Sequence, residues 1–178
     1  MWKRVKDQKG FTLVELLVVI AIIGILAAII SPNAFKAVEK GKVAAVEADY
    51  KAIKAAALNA YTDTGVWPPT PSTANDDPGL VSSSKWTGGA PTTWNGPYLE
   101  RWKSKNPWGG NYEWKNDTSG PFSSGNQRYL LLTDVPGVDD GEIQNGTPAK
   151  LIETDLGSDV VKGKSGTDYL YILISKDS

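Results

Sequence analysis

The chain has no cysteine and no histidine among its 178 residues. Without thiols it has no disulfide and no cysteine nucleophile, and without imidazole it lacks Ser-His-Asp relays and most zinc sites. A glycosidase can dispense with both residue types, because it works with two carboxylates. The spacing of the acidic residues singles out no such pair. We therefore expect a protein that is not an enzyme and carries no cofactor, apart from one metal site considered below.

The chain also has almost no net charge, although its charges are unevenly placed. Its 19 basic and 20 acidic residues give a formal charge of −1. The first ten residues contain four basic residues and one acidic residue, so they carry +3 and the remaining chain carries −4. A weakly acidic bulk argues against nucleic acid as the principal ligand.

A long apolar run follows the basic start. Residues 11–30 hold 17 apolar side chains in 20 positions. Twenty helical residues span about 30 Å, enough to cross a bilayer, and the basic end should stay in the cytoplasm. A cleaved secretory signal, a plain anchor and an anchor with a second role are the alternatives. The run is longer than that of a secretory signal, and the best candidate cleavage site has Pro32 at a position that requires a small residue.

Glu15 lies within the apolar run. A carboxylate in a membrane segment costs about 3 kcal/mol, and such residues are functional candidates that require a partner. A plain anchor gives no reason for this cost. The position of Glu15 therefore favours an anchor with a second role.

The residues around Glu15 resemble a known processing signal. The sequence KGFTLVELLVVI at residues 9–20 is similar, nearly residue for residue, to the class III signal of type IV prepilins and type II secretion pseudopilins. The resemblance implies that a prepilin peptidase cuts between Gly10 and Phe11 and methylates the amino group of Phe11, so that the apolar run is retained. Glu15 would then neutralise the new amino terminus of a neighbouring subunit. Such a buried pair acts mainly by fixing the register of assembly.

An amphipathic helical pattern continues beyond the apolar run. Apolar residues recur at helical spacing on one face: Val43, Val46, Tyr50, Ile53, Ala57 and Tyr61. Gly65 is expected to end the helix as a C-cap, which gives a helix about 78 Å long. Gly24 and Pro32 are weak points in it. Pro32 falls where pilins place a bend, and the resemblance implies that the helix can stretch between these two residues in a filament.

The remaining sequence predicts a small α+β domain, which the resemblance identifies as a pilin fold. Four short strands are predicted, at residues 111–114, 127–134, 150–154 and 169–175. They would form an antiparallel sheet across the amphipathic face of the helix. The predicted organisation is a leader (1–10), a transmembrane or filament-core helix (11–32), an amphipathic helix (33–65) and a loop-rich β domain (66–178).

Three motifs in this domain also resemble major type II secretion pseudopilins. They are WPPT at residues 67–70, GPYL at 96–99 and NPWGGNYEW at 106–114. In those pseudopilins a loop after the corresponding strand holds calcium, which here implies a structural calcium ion at Asp134, Asp139 and Asp140. Pro136 departs from the glycine-rich family loop, and a solvated acidic turn is the alternative.

Six tryptophans lie between residues 67 and 114. One interpretation is that they stack against sugars or aromatic surfaces, and the other is that they hold irregular loops against a small core. The first gives an alternative function, a membrane-anchored adhesin or carbohydrate-binding domain. That alternative predicts a monomer in which Glu15 is dispensable.

The preferred interpretation is a structural filament subunit. The resemblance implies a protein held in the cytoplasmic membrane by a single span and then polymerised through its N-terminal helix into an extracellular or periplasmic homopolymer. It implies a prepilin peptidase, an assembly ATPase and a membrane platform as partners, with the lipid bilayer around the helix before assembly. A type IV pilus and a type II secretion pseudopilus both fit at this stage.

Overall fold

The computed structural model describes residues 10–164 and 167–177. These residues divide into two compact units, with the boundary between Glu39 and Lys40. The elements are α1 (Leu13–Thr64), a 3-10 turn (Ser83–Lys85), β1 (Tyr112–Gly120), β2 (Ser123–Leu132), β3 (Val138–Asp139), β4 (Glu142–Ile143), α2 (Pro148–Leu156), β5 (Val161–Lys164) and β6 (Tyr169–Lys176). One long helix followed by short antiparallel strands confirms the α+β prediction.

Helix α1 contains both sequence patterns in one continuous helix. It passes through Gly24 and Pro32 and ends at Thr64. Gly65 follows with a φ of 71°, and its N–H donates to the carbonyl of Tyr61 at 2.8 Å. Glycine favours this left-handed conformation because it has no Cβ to oppose it. The predicted C-cap is therefore confirmed.

One face of α1 is buried from Val43 onward. Its buried residues are Val43, Val46, Tyr50, Ile53, Ala56, Ala57 and Ala60. The prediction is wrong at Tyr61, which stays 40% exposed. Ala60 continues the buried face instead, three residues after Ala57. The Tyr61 ring stacks on Trp67 with the centroids 4.6 Å apart.

A four-stranded antiparallel sheet packs with this face in one core. Its strand order is β1-β2-β6-β5. Trp114, Leu130, Ile172 and Val161 form one row across the four strands, and each is almost fully buried. Because side chains alternate between the two faces of a strand, residues two positions away point to the same side. The sheet therefore lies across the amphipathic face of α1, as predicted, and shares its hydrophobic cluster.

One predicted strand is wrong, since residues 150–154 belong to α2. Thr147 is the N-cap of this helix, Pro148 opens its first turn, and Gly157 is its C-cap. That order of residues is a helix signature, and it outweighs the β-branched residues that suggested a strand. Ile152 is fully buried from the helix. Strand β5 follows α2 and has no counterpart in the sequence prediction.

Candidate assembly site at the start of α1

Helix α1 begins with a reciprocal cap formed by Thr12 and Glu15. The Thr12 hydroxyl oxygen accepts from the Glu15 N–H at 3.2 Å. The Glu15 Oε2 accepts from the N–H and from the hydroxyl of Thr12, each at 2.8 Å. This capping box satisfies backbone donors that a helix leaves without partners in its first turn. Thr12 is not among the residues predicted from the sequence, although a threonine three residues before a glutamate is the signal of a capping box.

Gly10 and Phe11, the predicted cleavage and methylation sites, immediately precede this cap. Both residues are exposed, and Phe11 is 87% exposed. A Cβ added at Gly10 would have no atom within 4 Å, so no contact among residues 10–164 and 167–177 requires glycine there. A requirement for glycine would then come from a processing enzyme. The other predicted leader residues, 1–9, lie outside the described residues.

A continuous apolar surface follows the cap. Large apolar side chains between residues 11 and 38 are each at least 48% exposed: Phe11, Leu13, Val14, Leu16, Leu17, Val18, Val19, Ile20, Ile22, Ile23, Ile25, Leu26, Ile29, Ile30, Phe35 and Val38. Soluble monomers rarely expose an apolar surface of this size. By length and composition the helix is apolar enough to cross a membrane, with a mean hydropathy of 3.1 in its apolar window.

The other predicted assembly residues lie in this same part of α1. Glu15 is the acidic residue of its first turn, and Pro32 lies inside the helix. Gly24 has open space around it. Pairing of Glu15 with Phe11 of a neighbouring copy stays a prediction, as does loss of helicity between Gly24 and Pro32 in a filament.

Asp49 connects α1 to two segments of the globular domain. Its Oδ2 accepts from the Lys103 ammonium at 2.7 Å and from the Tyr112 hydroxyl at 2.8 Å. Burial, and then the nearby Asp49 carboxylate, raise the pKa of Tyr112 well above its ordinary value of 10.0. This network holds α1 to β1 and to the loop before it, and no local sequence pattern predicts it.

The tryptophans hold loops against the core. The six between residues 67 and 114 are all buried or half-buried. Four of them donate their indole N–H to backbone carbonyls at 2.9 to 3.1 Å: Trp86 and Trp94 to Gly79, Trp102 to Asn75, and Trp114 to Pro68. An indole engaged in this way is fixed by the backbone of a neighbouring segment. The structure therefore favours packing over a binding platform.

The predicted calcium ligands do not form a donor cluster. In the described parts of the chain, residues 10–164 and 167–177, no three acidic, histidine or cysteine side chains are grouped to hold a metal ion. Asp139 pairs with Glu142 in the β3–β4 hairpin. Asp140 and Gly141 form its two-residue turn with φ values of 46° and 87°, which is the preferred Asp-Gly turn of hairpins. Asp134 is exposed. The described side chains therefore do not gather the oxygen ligands that calcium requires.

Two family models match successive parts of the chain. Residues 5–31 match the prokaryotic N-terminal methylation motif, and residues 37–128 match the family described as PilW, C-terminal. The type II secretion system core protein G of Pseudomonas aeruginosa is 38% identical over 121 residues, which cover 66% of this chain and 80% of that protein. The chain belongs to the type IV pilin and type II secretion pseudopilin family.

Further members of the pilin and pseudopilin family match different lengths of the chain. The core protein G of Vibrio cholerae is 34% identical over 114 residues, 63% of this chain and 73% of that protein. The type IV major pilin protein PilE of Neisseria gonorrhoeae is 38% identical over 81 residues, 46% of each chain.

The pilin fold is confirmed by a solved structure. The major type IV pilin PilA1 of Clostridium difficile matches with a TM-score of 0.52 and 23% identity, and the match covers 79% of this chain and 98% of that chain. Proteins of the pilin family are structural filament subunits, and the adhesin alternative is not favoured.

Proposed function

We propose that this chain is a structural subunit of a type II secretion pseudopilus. The observation that carries the proposal is the apolar, exposed first part of α1, which begins at a capped processing motif and continues into a folded pilin domain. The domain needs no such surface for its own core, since the buried face of α1 starts only at Val43. The apolar part is therefore available for lipid and for other subunits.

The lengths of the sequence matches support a secretion pseudopilus over a pilus. The match to the P. aeruginosa secretion protein spans 121 residues, whereas α1 ends at residue 64. It must therefore include much of the globular domain. The matches to type IV pilins are shorter: 58 residues for two P. aeruginosa fimbrial proteins and 81 residues for PilE of N. gonorrhoeae, compared with 52 residues in α1. Likeness in the globular domain carries more information about the system than likeness in the shared helix.

Assembly exchanges lipid contacts for helix contacts. The hydrophobic effect gives little driving force for this step, because lipid tails are as apolar as the helix, so close packing and polar pairing must supply it. Glu15 carries the polar part of the proposal. Its carboxylate pairs with the methylated amino group of Phe11 on a neighbouring subunit, and an unpaired carboxylate there would be strongly unfavourable.

The proposed topology follows from the charge of the N-terminus. The basic leader stays in the cytoplasm, the apolar helix spans the cytoplasmic membrane, and the globular domain lies outside. A prepilin peptidase then removes residues 1–10, and an assembly ATPase with its membrane platform drives addition of the subunit to a homopolymer.

The experiment compares a strain that lacks this protein with the same strain complemented from the native promoter. We expect the deletion to retain normally secreted proteins in the periplasm, and complementation to restore their export. Glu15→Val should reach the membrane at normal levels but fail to restore export. Glu100→Val, an exposed carboxylate in a loop of the globular domain, is the matched control and should restore it.

Two results would contradict the proposal. Normal export in the deletion strain, together with loss of surface filaments, would assign the chain to a type IV pilus instead. Full export with Glu15→Val would remove the proposed pairing from the mechanism.

A further inference from the structure

The chain contains two Asn-Gly pairs, at Asn95 and at Asn145. In such a pair the main-chain nitrogen of the glycine can attack the side-chain amide carbon of the asparagine. The new C–N bond closes a succinimide ring, and the amide nitrogen leaves as ammonia. Water then opens the ring at either carbonyl, giving aspartate or isoaspartate. Glycine favours the attack because it has no Cβ to hinder the approach of the backbone.

The surroundings of Asn145 do not hinder the formation of the succinimide ring. Asn145 and Gly146 are both exposed in a turn between β4 and α2. A Cβ added at Gly146 would have no atom within 4 Å. In the part of the chain that the structure describes, no hydrogen bond holds the Asn145 side chain or the Gly146 N–H. The two reacting groups, the Asn145 side chain and the Gly146 N–H, can therefore approach each other without breaking a hydrogen bond of their own, while the Thr147 hydroxyl donates to the Gln144 carbonyl across the turn at 2.6 Å.

The surroundings of Asn95 oppose the same rotation. The Asn95 N–H donates to the Tyr98 hydroxyl at 3.0 Å, and that hydroxyl donates to Asp63 at 2.9 Å. The Trp94 ring lies against Gly96, within 2.5 Å of where a Cβ would be. Ring closure at Asn95 would have to disturb these contacts, each of which stabilises the folded loop.

We propose that Asn145 is a site of spontaneous deamidation in the folded protein, and that Asn95 is protected by the fold.

The two products of deamidation at Asn145, aspartate and isoaspartate, have different effects on the start of α2. Aspartate places a negative charge two residues before Thr147, the N-cap of α2, where the helix dipole favours it. Isoaspartate inserts a main-chain carbon before the same cap. Thr147 is packed against Gly137 and bonds the Gln144 carbonyl, so a longer main chain disturbs the connection between the hairpin and α2.

Trypsin separates the two sites cleanly for a test. Residues 86–101 and 129–150 are tryptic peptides, and each contains a single asparagine, Asn95 or Asn145. The full-length protein in detergent is incubated at mildly alkaline pH, and samples are digested quickly at lower pH. Mass spectrometry then measures the acid form of each peptide over time. A parallel incubation in denaturant gives the deamidation rates of the two asparagines in the unfolded chain.

In the folded protein we expect residues 129–150 to acquire the acid form several-fold faster than residues 86–101, with fragment ions placing the change at residue 145. In denaturant the two rates should converge. Asn145→Gln should abolish the fast component and leave Asn95 unchanged. Equal rates in the folded protein, a faster rate at Asn95, or the same ratio in denaturant as in the folded protein would each overturn the proposal.

Discussion

At the scale of single residues, Glu15 combines a contact seen in this structure with a contact proposed in the filament. Its carboxylate already accepts two hydrogen bonds from Thr12. A carboxylate has room for further donors, so the same group can complete the helix cap and also meet the amino group of a neighbouring copy. The two contacts require different chemical groups. The cap requires the Thr12 hydroxyl, whereas the pairing requires only the negative charge of Glu15.

Thr12→Val separates these contacts. It removes the capping hydroxyl but leaves the Glu15 carboxylate, so we expect a fraying of the first turn worth about 1 kcal/mol and assembly that is reduced but still present. Glu15→Gln keeps much of the cap geometry and removes the charge, and we expect it to abolish assembly. Filament yield per membrane-inserted subunit is the measurement. Equal defects in the two variants would show that Glu15 acts only as a cap.

Tyr112 makes the globular domain sensitive to alkaline pH. Its pKa in the folded state lies above the ordinary 10.0 because of burial and then Asp49, and burial and then the Asp117 contact raise the pKa of Tyr129 in the same direction. The unfolded chain therefore releases these protons first. The stability they contribute is complete below pH 10.0 and is lost as the pH rises above it.

Tyr112→Phe should make the stability of the protein fall less steeply with rising pH. We expect a loss of about 1 kcal/mol at neutral pH from the missing hydrogen bond, and a weaker fall of stability above the ordinary tyrosine pKa. Denaturant unfolding of the full chain in detergent across alkaline pH measures both. Tyr61→Phe, at a 40% exposed side chain, is the control and should leave the decline in place. An unchanged decline in Tyr112→Phe would contradict the assignment.

At the scale of elements, the strength of a sequence pattern decides how well it predicts structure. The apolar run, the stripe from Val43 and the stop at Gly65 agree with one another, and α1 follows them closely. The strand predicted at residues 150–154 rests on a few β-formers, and the cap signals at Thr147 and Pro148 outweigh it. Contacts between distant segments, such as Asp49 with Lys103, carry no local signal, so sequence reasoning does not find them.

Helix α1 offers a matched pair for testing its two faces. Ile53 is 3% exposed and Leu58 is 41% exposed, and the two have similar volume. Ile53→Ala should lower the free energy of unfolding by about 3 kcal/mol, because it leaves a cavity under the sheet. Leu58→Ala should change it by less than about 0.5 kcal/mol. Chemical unfolding followed by tryptophan fluorescence measures both, and similar losses would contradict the packing described for α1.

At the scale of the whole molecule, the structure is a folded domain joined to an apolar helix segment that the domain core does not use. The family, the fold and the apolar surface agree on a filament subunit, and the sequence alone predicts all three. The sequence could not place the acidic loop, because the positions of its carboxylates depend on the β3–β4 turn.

Calcium provides a test of that loop. The carboxylates at Asp134, Asp139 and Asp140 form no cluster in the described structure, so we expect the Tm of the full chain in detergent to be the same with calcium and with a chelator. A calcium-bound loop would raise the Tm, since a ligand that binds only the folded state stabilises it. A rise that disappears in Asp139→Asn would show that calcium gathers these side chains.

In the proposed assembly pathway, the apolar helix is retained and becomes the start of the mature subunit. The most direct test is the intact mass and the first residue of the protein isolated from cells that assemble it. We expect a chain that begins at N-methylated Phe11, and retention of the ten-residue leader in Gly10→Val. A mature chain that begins at any other residue, or one that has lost the apolar segment, would contradict it.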